Sequence, residues 1–224
     1  MVAALLAVAG SALAHEAPLT PSALHDAFVL GQRNDQATAA FLSPYVKQLT
    51  DRPAEPHIGE IEILTPFAQV VDQSRTRTSG YSEQQAVEDY RQRGDTIQVR
   101  VLLMLPGAFP KDQSNPVLNS PASAPTSSSI QTSSAEQNSA LRPENFWQNF
   151  RFVLKQHGKV IPTRSMHNKP VHSTPTPDAP AVLDGATVWL EYDAKDVASD
   201  ETTIEVVTPE SKTISAVFDL KKLR

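Results

Sequence analysis

Short segments in which apolar and polar residues alternate are the feature that most constrains the fold of this chain. Every second residue of segment 214–220 is apolar: Ile214, Ala216, Phe218 and Leu220. A period of two places these side chains on one face of a β-strand, because successive side chains of a strand point to opposite faces. Ile204 and Val206 alternate in the same way, and the intervening sequence TPES is typical of a turn. The two segments predict a β-hairpin.

Other segments carry the same pattern and predict further strands. One of them has apolar residues at Ile97, Val99, Val101 and Leu103, and another has them at Val188, Leu190 and Tyr192. The pair His157-Gly158 separates two more segments, as expected of a tight hairpin turn, whose residues must tolerate a positive φ. No strand alternates regularly with a helix, as a parallel sheet requires. The chain is therefore predicted to be mainly β, with an antiparallel β-sandwich of immunoglobulin-like architecture over residues 57–224.

Residues 15–56 have the pattern of an N-terminal helical segment. Thr20 can cap a helix, and Pro21 suits its first position because proline lacks the N–H that would be unpaired there. Asp35 can cap a second, shorter helix. The segment therefore predicts one helix after Thr20 and a short one after Asp35.

One further helix is predicted within the sandwich sequence. Ser82 and Gln85 have the spacing of a capping box, in which each side chain bonds the backbone N–H of the other residue. Gly94 is placed to end this helix. The expected helix covers residues 83–93, just before the segment that begins at Ile97.

Residues 111–143 differ in composition from the rest of the chain. They are rich in Ser, Pro, Ala and Thr, and their few apolar residues follow no period. Such a segment buries too little apolar area to offset the entropy of ordering, so it is predicted to be disordered. We expect an insertion within one sandwich, because too few strands precede it to form a stable sandwich alone. The strand that begins near Ile97 should therefore pair with strands beyond residue 145. The alternative is a linker between two domains.

Composition excludes several classes of function. The chain has no cysteine, which excludes disulfides, thiol catalysis and a cysteine-ligated metal. Its formal net charge is −5, with acidic and basic residues mixed, so it lacks the basic patch of a nucleic-acid-binding protein. It also lacks the glycine-rich motifs of nucleotide-binding loops and the GxSxG motif of serine hydrolases.

The first residues are typical of a secretory signal peptide. An apolar run ends in Ala12-Leu13-Ala14, which has the small residues of a cleavage site. No Lys or Arg precedes Arg33, so the basic start of such a signal is missing. The run is shorter than the ~20 residues that cross a bilayer. We expect a signal peptide over residues 1–14 and a periplasmic or secreted mature protein without a membrane span.

Cleavage after Ala14 would make His15 the first residue of the mature chain. The free α-amine and the imidazole of His15 could then bind one metal ion together, an arrangement that suits Cu(II). His157, in the predicted turn, and His167 and His172, in a predicted loop that contains Pro170, form another possible ligand set. Their spacing matches no standard metal site. Copper bound by His15 is therefore the alternative hypothesis, and the preferred one assigns no cofactor.

Three residues are candidates for binding a partner. Arg75 and Arg77 are two positions apart, so in an extended segment their guanidinium groups would project to one side and could bind a carboxylate, a phosphate or a sugar. Trp147 lies next to the Ser/Pro-rich segment and could present an aromatic surface, although core packing is the default for it and for Trp189.

Catalysis has weaker support than binding. Glu60 and Glu62 point to the same side of their predicted strand, but so do the solvent-facing residues of any amphipathic strand. The sequence therefore favours an exported, non-catalytic protein that binds another protein or a surface polymer in the envelope or outside the cell. The alternative is a periplasmic or secreted copper-binding protein.

The export hypothesis predicts the N-terminus of the mature protein. Mass spectrometry of the protein purified from a host that exports it should find His15 as the first residue, because the small residues of 12–14 suit signal peptidase. An intact Met1 on the exported protein would contradict the cleavage site and would remove the proposed copper ligands.

Overall fold

Two antiparallel sheets and four α-helices make up the part of the chain that the computed structural model describes, residues 17–49, 56–77, 79–105, 145–174 and 183–224. The predicted signal peptide at 1–14, His15 and the predicted insertion at 111–143 lie outside these residues. The helices are α1 (Pro21–Arg33), α2 (Gln36–Leu42), α3 (Pro66–Thr76) and α4 (Glu83–Arg93). The strands are β1 (Val46–Gln48), β2 (His57–Leu64), β3 (Thr96–Met104), β4 (Arg151–Gln156), β5 (Lys159–Ile161), β6 (Ser165–His172), β7 (Leu183–Asp193), β8 (Glu201–Val207) and β9 (Thr213–Asp219).

The larger sheet joins strands from both halves of the chain. Its order is β1-β2-β3-β7-β6, and the smaller sheet has the order β5-β4-β8-β9. At the centre, β3 pairs with β7 over its whole length, from Thr96 opposite Asp193 to Met104 opposite Gly185. This confirms that the strand beginning near Ile97 pairs with a strand beyond residue 145.

Apolar side chains of both sheets form one hydrophobic core. In β3, Ile97, Val99, Val101 and Leu103 are completely buried, as the alternation predicts. Leu154, Ile204 and Phe218 of the smaller sheet belong to the same buried cluster. The predicted mainly β fold with an antiparallel sandwich is thus confirmed, and its two-sheet arrangement is compatible with the immunoglobulin-like architecture.

Both predicted hairpins are present. His157 (φ 49°) and Gly158 (φ 76°) form the turn between β4 and β5 with the positive φ angles expected there. Strands β8 and β9 pair from Glu201 opposite Asp219 to Val207 opposite Thr213. The chain continues past β9, and Leu223 is buried against the core.

The helices pack beside the larger sheet. Helix α1 begins at the Thr20 cap and α2 at the Asp35 cap, as predicted, while α1 extends past Gly31 to Arg33. A Cβ on Gly31 would collide with the Val71 carbonyl oxygen and with Ser74, so this glycine lets α1 approach α3 closely. Helix α4 has the predicted capping box and ends at Gly94. Among the described helices, none combines the length and the apolar character that a membrane span requires.

The sequence patterns missed three elements. Residues 46–48 lie in the segment 15–56 that was expected to be helical, but they form strand β1, so the larger sheet extends beyond the predicted bounds of 57–224. Residues 66–76, which follow the predicted strand in an apolar run, form helix α3, with the Thr65 side chain as its cap and Pro66 at its first turn. The stretch around His167 and Pro170 was expected to be a loop but forms strand β6. Proline is tolerated there because β6 pairs only with β7 among the described strands, so it is an edge strand of the sheet.

The contact between β3 and β7 predicts that Gly185 tolerates no side chain. A Cβ at this position would meet the backbone carbonyl oxygen of Leu103, which cannot move without separating the two central strands. Gly185→Ala should lower the free energy of unfolding by about 1–3 kcal/mol, measured by urea denaturation.

Gly59→Ala is the matched control for this variant. Its Cβ would meet the flexible Met104 side chain at 3.2 Å instead of backbone, so its loss of stability should be smaller. If the two variants lost the same free energy of unfolding, the close approach of β3 and β7 would not be the reason for a glycine at position 185.

Candidate functional site

The outer face of the larger sheet, opposite the core, carries polar side chains. Alternation puts Gln98 and Arg100 of β3 on this face, together with Trp189 of β7, because their sequence neighbours are buried. Helix α3 lies over one end of the face. Its Gln69 side chain donates hydrogen bonds to the carbonyl oxygens of Leu64 (3.0 Å) and Thr96 (2.6 Å), at the ends of two neighbouring strands.

Two grooves lie where α3 meets this face. The first, the glutamate groove, has a volume of about 510 Å³ and is lined by Glu60, Glu62, Arg75 and Arg100 among others. The second, the tryptophan groove, has a volume of about 610 Å³. Its polar and aromatic lining residues include Asp72, Gln73, Arg77, Arg93, Gln98, Lys169 and Trp189.

The charges of the glutamate groove pair with one another. The Arg100 guanidinium donates to Glu62 and, at 3.4 Å, to Asp72. Arg75 donates to the other oxygen of Asp72 at 2.6 Å. The Glu62 side chain is only 5% exposed, and burial raises the pKa of its carboxyl group, although Arg100 acts in the opposite direction. This internal pairing favours a structural role for the cluster.

Trp189 gives the second groove an aromatic wall. Its indole ring stacks on the imidazole of His167, directly opposite it on β6, with ring centroids 5.1 Å apart and planes within 6° of parallel. Trp189 is partly exposed, whereas its neighbours Val188 and Leu190 are buried. Trp189 therefore lies on the polar outer face of the sheet, where stacking on His167 holds its indole ring in place.

Amide and guanidinium groups line the rest of the tryptophan groove. Arg93, near the end of α4, donates to the amide oxygen of Gln69 at 2.9 Å and to that of Gln73. Burial lowers the pKa of the Arg93 guanidinium. Arg77 forms an ion pair with Asp89 at 3.0 Å and lies over the Tyr81 ring. These groups can donate hydrogen bonds to a polar ligand.

The predicted binding residues occupy separate places. Arg75 lies in helix α3 and Arg77 caps its C-terminus, so the expectation of an extended segment is wrong. Residues two positions apart on a helix do not share a face, and Arg75 lines the glutamate groove while Arg77 lines the tryptophan groove. Trp147 lies in a short 3-10 helix, packs partly buried against the core and lines neither groove.

The metal hypothesis stays a prediction, because His15 lies outside the described residues. His157 lies in the turn after β4, whereas His167 and His172 lie in β6 of the other sheet. No group of three or more potential ligands with metal-binding geometry is found among the residues that the structure describes.

Two residues of the tryptophan groove were missed by the sequence interpretation. Trp189 was assigned to the core by default, although the buried face of its strand was predicted to carry Val188 and Leu190, which places Trp189 on the opposite face. No sequence pattern indicated a role for Arg93, because the amides of Gln69 and Gln73 to which it donates belong to another helix, α3.

Comparisons with protein-family models, with curated proteins and with solved structures gave no match.

The raised pKa of Glu62 predicts a specific pH dependence of stability. A carboxyl group whose pKa is higher in the folded than in the unfolded state stabilises the fold at low pH and loses this contribution as pH rises through the folded-state pKa. The unfolding free energy of the wild type minus that of Glu62→Gln should therefore fall as the pH rises above about 4, the ordinary pKa of a glutamate, measured by urea denaturation. A difference that grows with pH would show that Arg100, and not burial, dominates the titration of Glu62.

Proposed function

We propose that this is an exported, non-catalytic protein that binds a surface polysaccharide in the tryptophan groove. The observation that carries the proposal is Trp189, an aromatic ring on the polar face of the sheet within a groove lined by amide side chains. An aromatic ring offers a flat apolar surface to the C–H face of a sugar ring. The amide of Gln98 can donate to and accept from its hydroxyl groups.

The groove residues support binding more than catalysis. Asp72 is a carboxylate in the wall of the groove, but its two oxygens already accept hydrogen bonds from Arg75 and Arg100. A general base needs a carboxylate oxygen within reach of the substrate proton. Arg77, Arg93 and the amides instead provide donors that can hold a ligand in place.

Export supports a polymer of the cell surface as the ligand. The apolar N-terminal run and the cleavage sequence Ala12-Leu13-Ala14 are the features that favour export. A protein partner was the other possibility predicted from sequence. We favour a sugar polymer because amides and an aromatic ring are the groups that recognise hydroxylated rings.

The proposal predicts that Trp189 reports ligand binding directly. The chain has two tryptophans, so in Trp147→Phe the fluorescence comes from Trp189 alone. Addition of a bound polysaccharide should change this emission, because the environment of the indole changes. The test panel is dextran, polygalacturonate and the methyl ester of polygalacturonate.

Trp189→Ala should weaken binding of the recognised polymer about tenfold, measured by affinity electrophoresis, because aromatic contacts contribute roughly this much. Trp147→Phe is the matched control and should bind like the wild type, since Trp147 lies outside the groove. Unchanged binding by Trp189→Ala, or no binding to any polymer of the panel, would contradict the proposal.

A further inference from the structure

Arg93 carries a charge that the described part of the protein does not neutralise by contact. Its guanidinium has five N–H donors, and the acceptors within hydrogen-bond distance are the neutral amide oxygens of Gln69 and Gln73. No carboxylate of the described residues lies within 4.0 Å of it. Removing an ion from water without a counter-ion is costly, so this partly buried cation favours an anion from outside.

The nearby carboxylates are engaged elsewhere. Asp89 accepts hydrogen bonds from Arg77 at 3.0 Å and from the Tyr81 hydroxyl at 3.0 Å. Glu191 accepts a hydrogen bond from the Ser165 hydroxyl at 2.7 Å. Asp89 and Glu191 therefore act on Arg93 only through space, whereas a ligand anion could contact the guanidinium directly.

Lys169 adds a second cation to the same groove. It is an exposed residue of β6, and it makes no ion pair with the residues that the structure describes. Arg77, whose side chain is 58% exposed, lies in the groove wall as well. Arg93, Lys169 and Arg77 therefore surround a space in which Asp72 is the one acidic wall residue of the described chain, and Arg75 and Arg100 compensate its charge.

We infer that the tryptophan groove binds an anionic polysaccharide, one whose sugar rings carry carboxylate groups. Trp189 contacts the face of a sugar ring, and Arg93 and Lys169 contact its carboxylate. The planar guanidinium suits a carboxylate because two parallel N–H groups can bond its two oxygens. This inference rests on the proposed function and adds the charge of the ligand to it.

The experiment compares two forms of one polymer. Polygalacturonate and its fully methyl-esterified form have the same sugar backbone, but only the first carries charge. Isothermal titration of the wild type should show binding to polygalacturonate that is at least about tenfold tighter than to the ester, since hydrogen bonds to charged groups are the stronger ones. Added salt should weaken the binding of polygalacturonate because exposed charges are screened.

Two lysine variants separate the groove from the net charge of the protein. Lys169→Gln should weaken binding of polygalacturonate about three- to tenfold and leave binding of the ester unchanged. Lys159→Gln removes the same charge from β5 of the other sheet and should change neither. Arg93→Lys keeps the charge but loses the planar pair of donors, so it should also weaken binding of polygalacturonate, with a retained cooperative thermal transition as evidence of folding.

The outcomes distinguish the inference from the proposed function. Equal binding of the two polymers, insensitive to salt, overturns the inference and leaves polysaccharide binding intact. Equal effects of Lys169→Gln and Lys159→Gln also overturn the inference, because binding would then follow net charge alone. Binding of inorganic polyphosphate but of neither sugar polymer overturns both proposals and identifies a general anion site.

Discussion

The pairing of β3 with β7 determines both faces of the larger sheet. It runs from Thr96 opposite Asp193 to Met104 opposite Gly185 and joins segments that are far apart in sequence. Its register places Val99 beside Leu190 in the core and Arg100 beside Trp189 on the outer face. A slip of one residue would exchange the two faces of β7. The core and the tryptophan groove therefore depend on the same set of backbone hydrogen bonds.

Gln69 connects this pair of strands to the helices. Its amide nitrogen bonds the carbonyl oxygens of Leu64 and Thr96, and its amide oxygen accepts a hydrogen bond from Arg93. One buried side chain thus fixes α3 to the sheet and α4 to α3. Its position explains how a groove can form between helices and strands that share few direct contacts.

The alternation of apolar residues was sufficient to predict β3, β7 and the closing hairpin, because each has one buried face. It failed for α3, whose buried residues Phe67, Ala68, Val70 and Val71 follow β2 so closely that they resemble a continuation of the strand. The pair Thr65-Pro66 was the available signal, because it repeats the cap of α1 at Thr20-Pro21. The alternation failed for β6 for a different reason. That strand is mostly exposed, and its Pro170 argued for a loop.

Much less of the candidate site could be predicted. Arg77 was chosen from the sequence and does line the tryptophan groove, but for a reason based on an extended segment that is in fact a helix. Trp189 could be placed on the outer face from its strand alone. The importance of Arg93 could not be predicted, because it depends on Gln69 and Gln73, which precede it by 24 and 20 residues.

The exposed edge of the larger sheet has a consequence for how the protein behaves at high concentration. Among the described strands, β6 pairs on one side only, so its other side could add a strand of a second molecule. Lys169 and Pro170 occupy the middle of that edge. The lysine repels another copy of itself, and the proline has no N–H to offer. The sheet is therefore protected against growing from one molecule into the next, the first step towards a fibrillar aggregate.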